Sequence, residues 1–189
     1  MAVNNDFRKS FEDNIDMLKA ALRADENFDV IIKTIKFSDR QATMFCIDGF
    51  MKDEVLEKMF EFFTTIPAKD MQYIKTTKDL LDNFVTYIES NVETSLEKVV
   101  TLVLSGALVM VVDGFTEAII IDARTYPARN VQEPESDKVL RGSHEGFVET
   151  LIFNTALIRR KIRDPRLTMQ LHQVGSKSRT DITVCYIDG

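Results

Sequence analysis

The sequence contains few of the residues that build metal and redox sites. Its 189 residues include two cysteines, Cys46 and Cys185, and two histidines, His144 and His172. Two cysteines in a chain of this length do not make the framework of a disulfide-rich secreted domain, so a reducing compartment is expected. A zinc-protease helix would need a second histidine four residues after His144, where the sequence has valine instead. We therefore predict no metal site and no cofactor.

The sequence also lacks a long apolar run. The longest stretch without a charged residue, VVTLVLSGALVMVV, spans residues 99–112 and is interrupted by Ser105 and Gly106. A membrane-spanning helix needs about 20 apolar residues, so this stretch predicts a buried helix end followed by a buried strand. The first residues, MAVNNDFRKSFEDN, hold no apolar segment of the kind found in signal peptides. We expect that these residues do not cross a membrane.

Basic residues are not in excess. The chain has 24 Lys and Arg against 30 Asp and Glu, a net charge of −6, whereas nucleic-acid binding usually requires a strongly basic surface. Residues 1–128 hold 14 basic and 22 acidic side chains, but residues 129–189 hold 10 and 8. We predict no nucleic-acid partner and a C-terminal third that differs electrostatically from the rest.

Complete catalytic motifs are missing as well. Gly142 and Gly146 are not part of a phosphate-binding loop, because no lysine follows the second glycine. No serine lies in the pattern of a nucleophile elbow. We interpret the chain as non-enzymatic, and an enzyme that uses His144 with a neighbouring carboxylate is the weakest alternative.

What the sequence does contain is an alternation of helical and strand patterns. Apolar residues at helical spacing predict helices near residues 5–23, 52–63, 78–89, 94–104 and 144–162. β-rich segments predict strands near residues 28–37, 42–48, 107–112, 115–122, 166–174 and 181–187, with a hairpin turn at Asp113-Gly114. We predict an α/β fold of two small α/β subdomains, residues 1–128 and 129–189, with mixed β-sheets built from helix–strand–strand units.

One helix–strand–turn–strand pattern occurs twice. The first copy, residues 14–49, ends in Ile-Asp-Gly, and so does the second copy, residues 148–189. A predicted helix begins near Lys52, just after the first copy, whereas the second copy stops where the corresponding helix would begin. We expect that the natural chain continues past Gly189.

The densest polar stretch, EPESDKVLRGSHEGF at residues 133–147, is interpreted as the lead-in to the last predicted helix. Ser143 is the predicted N-cap, and Glu145 lies in the first turn, where the helix dipole favours negative charge. Asp164-Pro165 is predicted to end the helix. The helix is apolar around much of its circumference, so Asn154 requires partners for its amide. We expect these partners in the Arg-rich connection before the helix.

A basic cluster closes this helix. It comprises RRKIR at residues 159–163 and Arg166. The cluster has three interpretations, which the residues alone leave open. It is a solvated helix end, a contact for an anion or a lipid headgroup, or the ion-pair partner of Glu133, Glu135 and Asp137.

Three ordered blocks in the C-terminal third form a family signature. They are RNVQEPES at residues 129–136, VLRGSHEGFVE at 139–149 and NTALIRRKIRDPRL at 154–167. Together they strongly resemble the GerA family of spore-germination proteins, and GFVE at 146–149 is closer to SpoVAF-like members than to germinant-receptor A subunits. Residues 29–37, 42–50 and 104–124 resemble the family's earlier strands more weakly.

The resemblance implies a large protein of the spore inner membrane, with a hydrophilic N-terminal region on the cytosolic side. It implies other subunits of a germination membrane complex as partners, a homo-oligomer in the full-length protein, and contact with the membrane through a missing C-terminal region. The chain is then a regulatory and assembly domain involved in germinant response and ion release. The alternative is a module that binds a small, nutrient-type molecule in a cleft between the two α/β lobes.

Fifteen residues of the signature are expected to hold the loop and helix together or to contact a neighbouring subunit. They are Arg129, Gln132, Glu133, Pro134, Glu135, Arg141, Gly142, Glu145, Phe147, Asn154, Thr155, Arg159, Arg160, Arg163 and Asp164.

Overall fold

The computed structural model describes residues 6–85, 89–125 and 146–189. Its helices are α1 (Phe11–Leu22), α2 (Asp53–Thr64), α3 (Ala68–Met71), α4 (Thr77–Phe84), α5 (Leu96–Leu104) and α6 (Leu151–Lys161). Its strands are β1 (Val30–Phe37), β2 (Arg40–Ile47), β3 (Ser90–Glu93), β4 (Leu108–Val112), β5 (Ala118–Ile121), β6 (Leu167–Val174) and β7 (Thr180–Ile187). We call the described residues up to 125 the first unit and residues 146–189 the second unit.

A five-stranded sheet in the order β1-β2-β4-β5-β3 forms the centre of the first unit. The predicted α/β class is confirmed, and Asp113-Gly114 turns the chain between β4 and β5 with a positive φ of 86° at Gly114. The expectation of mixed sheets was wrong, because every described strand pair is antiparallel. Short turns join β1 to β2, β4 to β5 and β6 to β7. A short turn reverses the direction of the chain, so the strands that it joins pair antiparallel, whereas parallel neighbours need a long crossover connection.

Helices cover both faces of this sheet. On one face, α1 and α5 contribute Leu18 and Val103 to a core that includes Phe45 of β2. On the other face, α2 and α4 contribute Met59 and Leu80 to a second core. All five residues of β4 are buried, and this explains why the strand is apolar throughout instead of alternating with polar residues.

The second unit consists of α6 and the β6–β7 hairpin. Leu167 and Met169 at the start of β6 are buried. Ile182, Val184 and Tyr186, alternate residues of β7, are 37%, 44% and 38% exposed. Alternate residues of a strand share one face, so β7 presents a row of apolar side chains to solvent, beside polar partners on β6.

Several element predictions differ from the structure, and α1 begins at Phe11, not near residue 5. Strand β3 was missed, because its four residues SNVE contain a single apolar side chain and lie between two helical patterns. The last helix begins at Leu151 after Thr150, and residues 146–150 are not helical. The predicted helix start was therefore wrong, because Thr150 is the N-cap of α6; the predicted cap residue, Ser143, lies outside the described residues.

The late start of α6 has a physical cause in Asn154. Its side-chain oxygen accepts a hydrogen bond from the Val148 N–H at 2.7 Å, and its Nδ2 donates to the Val148 carbonyl at 2.7 Å. These bonds fix the preceding segment beside the helix. We call this pair of side-chain hydrogen bonds an asparagine bracket. The same bracket occurs in α1, where Asn14 accepts from the Arg8 N–H at 2.7 Å and donates to the Arg8 carbonyl at 2.9 Å.

The repeated Ile-Asp-Gly segments also make equivalent contacts. The Asp48 N–H donates to the Asp29 carbonyl at 2.8 Å, and the Asp188 N–H donates to the Arg166 carbonyl at 3.2 Å. Asp29 and Arg166 each stand immediately before the first strand of their unit. The sequence repeat thus corresponds to one local architecture, built twice.

Candidate functional site

A buried arginine joins the two units. Arg159 on α6 has no exposed surface, and Asp29, in the turn between α1 and β1, is 1% exposed. Arg159 Nε donates to Asp29 Oδ2 at 2.8 Å and Nη2 donates to Oδ1 at 3.0 Å. This two-pronged geometry is the strong form of an arginine–carboxylate pair. Because isolated charges are costly away from water, each of these groups requires the other.

Asn27 completes the polar centre of this joint. Its Oδ1 accepts hydrogen bonds from Arg159 Nη2 at 3.1 Å and from the Met169 N–H at 2.8 Å. Its Nδ2 donates to two carbonyls at the end of α1, at 3.1 and 3.2 Å. Arg159 Nη1 donates to the Leu167 carbonyl at 3.2 Å. A single amide therefore fixes the end of α1, the arginine and the start of β6 together.

Backbone and rim contacts extend the joint. The Phe28 N–H donates to the Met169 carbonyl at 3.1 Å. At the rim, Arg23 contacts both Glu26 and Asp188. Arg23 is partly exposed, and ion pairs of this kind contribute little stability. The rim therefore adds little to the stability of the joint.

A close backbone contact forms the second part of the joint. Gly49, which follows β2, has a φ of 77° and lies under α6. A Cβ at this position would approach Ile152 Cγ2 to 3.0 Å and Ala156 Cβ to 3.2 Å. Glycine is required both for the left-handed backbone and for the approach of the helix. Ala156 in turn belongs to the first unit's core.

Titratable groups near the joint are affected by burial. Desolvation raises the pKa of Asp48, and the charges of Asp53 and Asp29 act in the same direction, against a hydrogen bond from the Gly49 N–H. Burial raises the pKa of the Cys46 thiol to about 12. Burial also raises the pKa of the Cys185 thiol. Both cysteines are free and in the thiol form at neutral pH, so neither is an activated nucleophile.

Eight of the fifteen predicted residues lie outside the described residues. They are Arg129, Gln132, Glu133, Pro134, Glu135, Arg141, Gly142 and Glu145. The pairing of the basic cluster with the acidic run at 133–137 therefore stays a prediction. For Arg159, the structure identifies a different partner, Asp29, which is 130 residues away in the sequence.

The other seven predicted residues lie on or beside α6. Phe147 is 69% exposed, whereas Thr155 is buried and its hydroxyl donates to helix carbonyls. Arg163 donates to the Arg160 carbonyl at 3.3 Å and to Ser105 Oγ at 3.4 Å. Asp164 pairs with Arg166 at 2.8 Å, and this hydrogen-bonded pairing lowers the pKa of Asp164 to about 2. Asn154 and Arg159 make the contacts described above.

Sequence reasoning did not identify Asn27, Asp29 or Gly49 as parts of the site. Asn27 and Asp29 precede a strand, where such residues commonly serve as turn formers. Gly49 belongs to the repeated Ile-Asp-Gly segment, which was the available signal for its importance. Nothing local in the sequence pairs Asp29 with an arginine on a distant helix.

Other candidate sites have fewer structural features that support them. His172 lies on β6 and is exposed, and the described part of the chain brings together no three side chains suited to hold a metal ion. A groove of about 450 Å³ runs beside β3 and is lined by Glu89, Asn91, Glu93, Leu102 and Asp122 among others. It lies wholly within the first unit, away from the joint.

Comparison with known proteins identifies the family. Residues 16–189 match the family model described as Bacillus/Clostridium GerA spore germination protein. The chain belongs to the GerA family. The signature blocks in its C-terminal third were therefore interpreted correctly, and the match extends through both units.

Several GerA-family relatives are similar to this chain over most of its length. Stage V sporulation protein AF of Bacillus subtilis (strain 168) is 34% identical over 169 residues, which cover 86% of this chain and 33% of that protein. Spore germination protein B1 of the same organism is 28% identical over 178 residues, covering 93% of this chain and 36% of that protein. The chain therefore spans about a third of the length of these curated relatives.

The fold is shared with a solved structure. The N-terminal domain of the A subunit of the Bacillus megaterium spore germinant receptor GerK3 matches with a TM-score of 0.75. The match covers 99% of this chain and 68% of that chain at 18% sequence identity, so it shows the fold alone. Within the described ranges, no helix has the length and hydropathy needed to cross a bilayer.

Proposed function

We propose that this chain is the cytosolic regulatory and assembly part of a spore inner-membrane protein that acts in germinant response and ion release. The family match over residues 16–189 carries the proposal. The first similar relatives are about three times as long as this chain, so ion release is assigned to other parts of such a protein. We further propose that the units belong to two subdomains, residues 1–128 and 129–189, in a homo-oligomer with other germination subunits.

The joint supports a regulatory role, not a catalytic one. Its charges are paired and buried, so they are not available to a substrate. A buried ion pair contributes geometric specificity more than net stability. Such a joint fixes the orientation of the two units. This orientation determines which surfaces an assembly domain offers to neighbouring subunits.

The test is Arg159→Ala in the full-length protein within spores. We expect slower germination and less of the protein in membrane complexes, measured by loss of optical density and by co-purification of subunits. Arg8→Ala is the matched control, because Arg8 is exposed and outside the joint. Normal germination and normal complex assembly in the Arg159 variant would contradict the proposal.

The groove beside β3, which lies within the first unit and not in the expected cleft between the two lobes, supports a second candidate, a module that binds a small nutrient-type molecule. The groove combines carboxylates with the apolar side chains of Leu102 and Ile120. A ligand at 100 times its Kd raises the unfolding free energy by about 2.7 kcal/mol. A thermal-shift screen with millimolar amino acids, sugars and nucleotides tests this, with Leu102→Lys as the variant that should lose the shift. If no ligand shifts the transition, this second function fails.

A further inference from the structure

We propose that the joint around Arg159 is a latch, which opens and lets the two units separate while each unit keeps its own structure. This inference concerns a conformational change and goes beyond the proposed function. It rests on the composition of the joint and on the internal bracing of each unit.

Polar contacts form the centre of the joint, and the close approach of Gly49 to Ile152 and Ala156 lies beside it. The centre consists of Arg159 with Asp29 and Asn27, together with the backbone bond from Phe28 to Met169. Among the described residues of the second unit, Ala156 alone belongs to the apolar cores of the first unit. Interfaces between domains that are polar and of limited apolar area permit relative motion.

Water can replace these polar contacts when the joint opens. Arg159 and Asp29 lose their mutual attraction on opening, but both regain hydration, and the two terms are of similar size for buried ion pairs. An apolar interface has no such compensation, because separation exposes its surface to water. Opening therefore costs less than unfolding the first unit, whose sheet is covered by apolar cores on both faces.

The hydrogen-bond geometry of the ion pair makes the docked and undocked states discrete. The guanidinium and carboxylate are joined by two parallel hydrogen bonds of 2.8 and 3.0 Å, and hydrogen bonds weaken steeply with distance and angle. A small displacement thus breaks both bonds together, which produces docked and undocked states with little between them.

Each unit has its own braces, which do not cross the joint. Asn14 fixes the entry of α1 to the Arg8 backbone, and Asn154 fixes the entry of α6 to the Val148 backbone. Strands β6 and β7 pair along eight residues. These contacts survive separation, so opening does not require either unit to unfold.

Native-state hydrogen exchange of the whole 189-residue chain tests the latch. The reporters are the amides of Phe28 and Met169, whose hydrogen bonds cross the joint. We expect both amides to exchange at the same opening equilibrium and at least about tenfold more readily than amides in β4 or in the β6–β7 ladder. Exchange at the rate of β4 would overturn the latch. Joint and β6–β7 amides that exchange together would overturn it too, since the second unit would then be unfolding.

Variants provide a second measurement. Arg159→Met should speed exchange at Phe28 and Met169 by a further factor of about ten or more, and these amides should stay at least about tenfold ahead of those in β4. Arg159→Lys retains the charge without the two-pronged geometry, so its effect should be smaller than that of methionine. Joint amides that gain no speed, or that exchange at the same rate as the β4 amides, would count against a latch.

Discussion

Replacing Arg159 by methionine should destabilise the chain far more than the loss of one surface charge. Methionine approximates the length of the side chain but leaves Asp29 without the guanidinium that donates both bonds to its carboxylate. Asp29 is 1% exposed, and stranding one partner of a buried pair costs about 3–5 kcal/mol. The loss of stability has an upper limit. Once it exceeds the free energy of docking, the two units separate and Asp29 becomes hydrated.

The double variant Asp29→Leu with Arg159→Met distinguishes pairing from packing. Apolar residues of similar volume often replace a buried ion pair at little cost. We expect the double variant to recover most of the loss, with a coupling energy of about 2–4 kcal/mol between the two positions. Urea denaturation of all four proteins, followed by circular dichroism, measures the cycle. A loss below about 1 kcal/mol for Arg159→Met, with exchange at Phe28 and Met169 unchanged, would refute the reasoning.

Three further predictions concern single positions. Gly49→Ala should lower the free energy of unfolding by about 1–3 kcal/mol, measured in urea, because it adds left-handed strain and a contact with Ile152 at 3.0 Å. Asn154→Ala should cost about 1–3 kcal/mol, since it leaves the Val148 N–H and carbonyl without their partner. Asp48→Asn should raise stability at pH 7, because the pKa of Asp48 is raised by burial and its charged form is disfavoured in the folded chain.

Controls and contrary outcomes follow from the same contacts. At Gly114 the nearest atom to an added Cβ is the movable end of Arg40, so Gly114→Ala should leave exchange in the joint unchanged where Gly49→Ala speeds it. Asn14→Ala should match Asn154→Ala in size, and a large difference would contradict the equivalence of the brackets. The gain from Asp48→Asn should shrink as pH falls through the raised pKa, because the folded wild-type carboxyl then binds its proton. A gain that is independent of pH would contradict burial as its cause.

Elements with strong periodic patterns were predictable from the sequence, and weak ones were not. The Asp113-Gly114 hairpin was found because apolar runs flank a turn dipeptide that accepts a left-handed backbone. Strand β3 was missed because its pairing with β5, not its own composition, makes it a strand. The start of α6 was misplaced because Asn154 holds Val148 through side-chain bonds, and these bonds compete with helix formation.

The sequence by itself determined the α/β class, the repeated Ile-Asp-Gly segments and the GerA signature, because these depend on local patterns and on residue order. It also indicated that Asn154 and Arg159 matter. Only the tertiary structure decided that Arg159 pairs with Asn27 and Asp29 of the first unit. Ion pairing depends on distance in space and not along the chain, and the fold brings together groups that lie 130 residues apart.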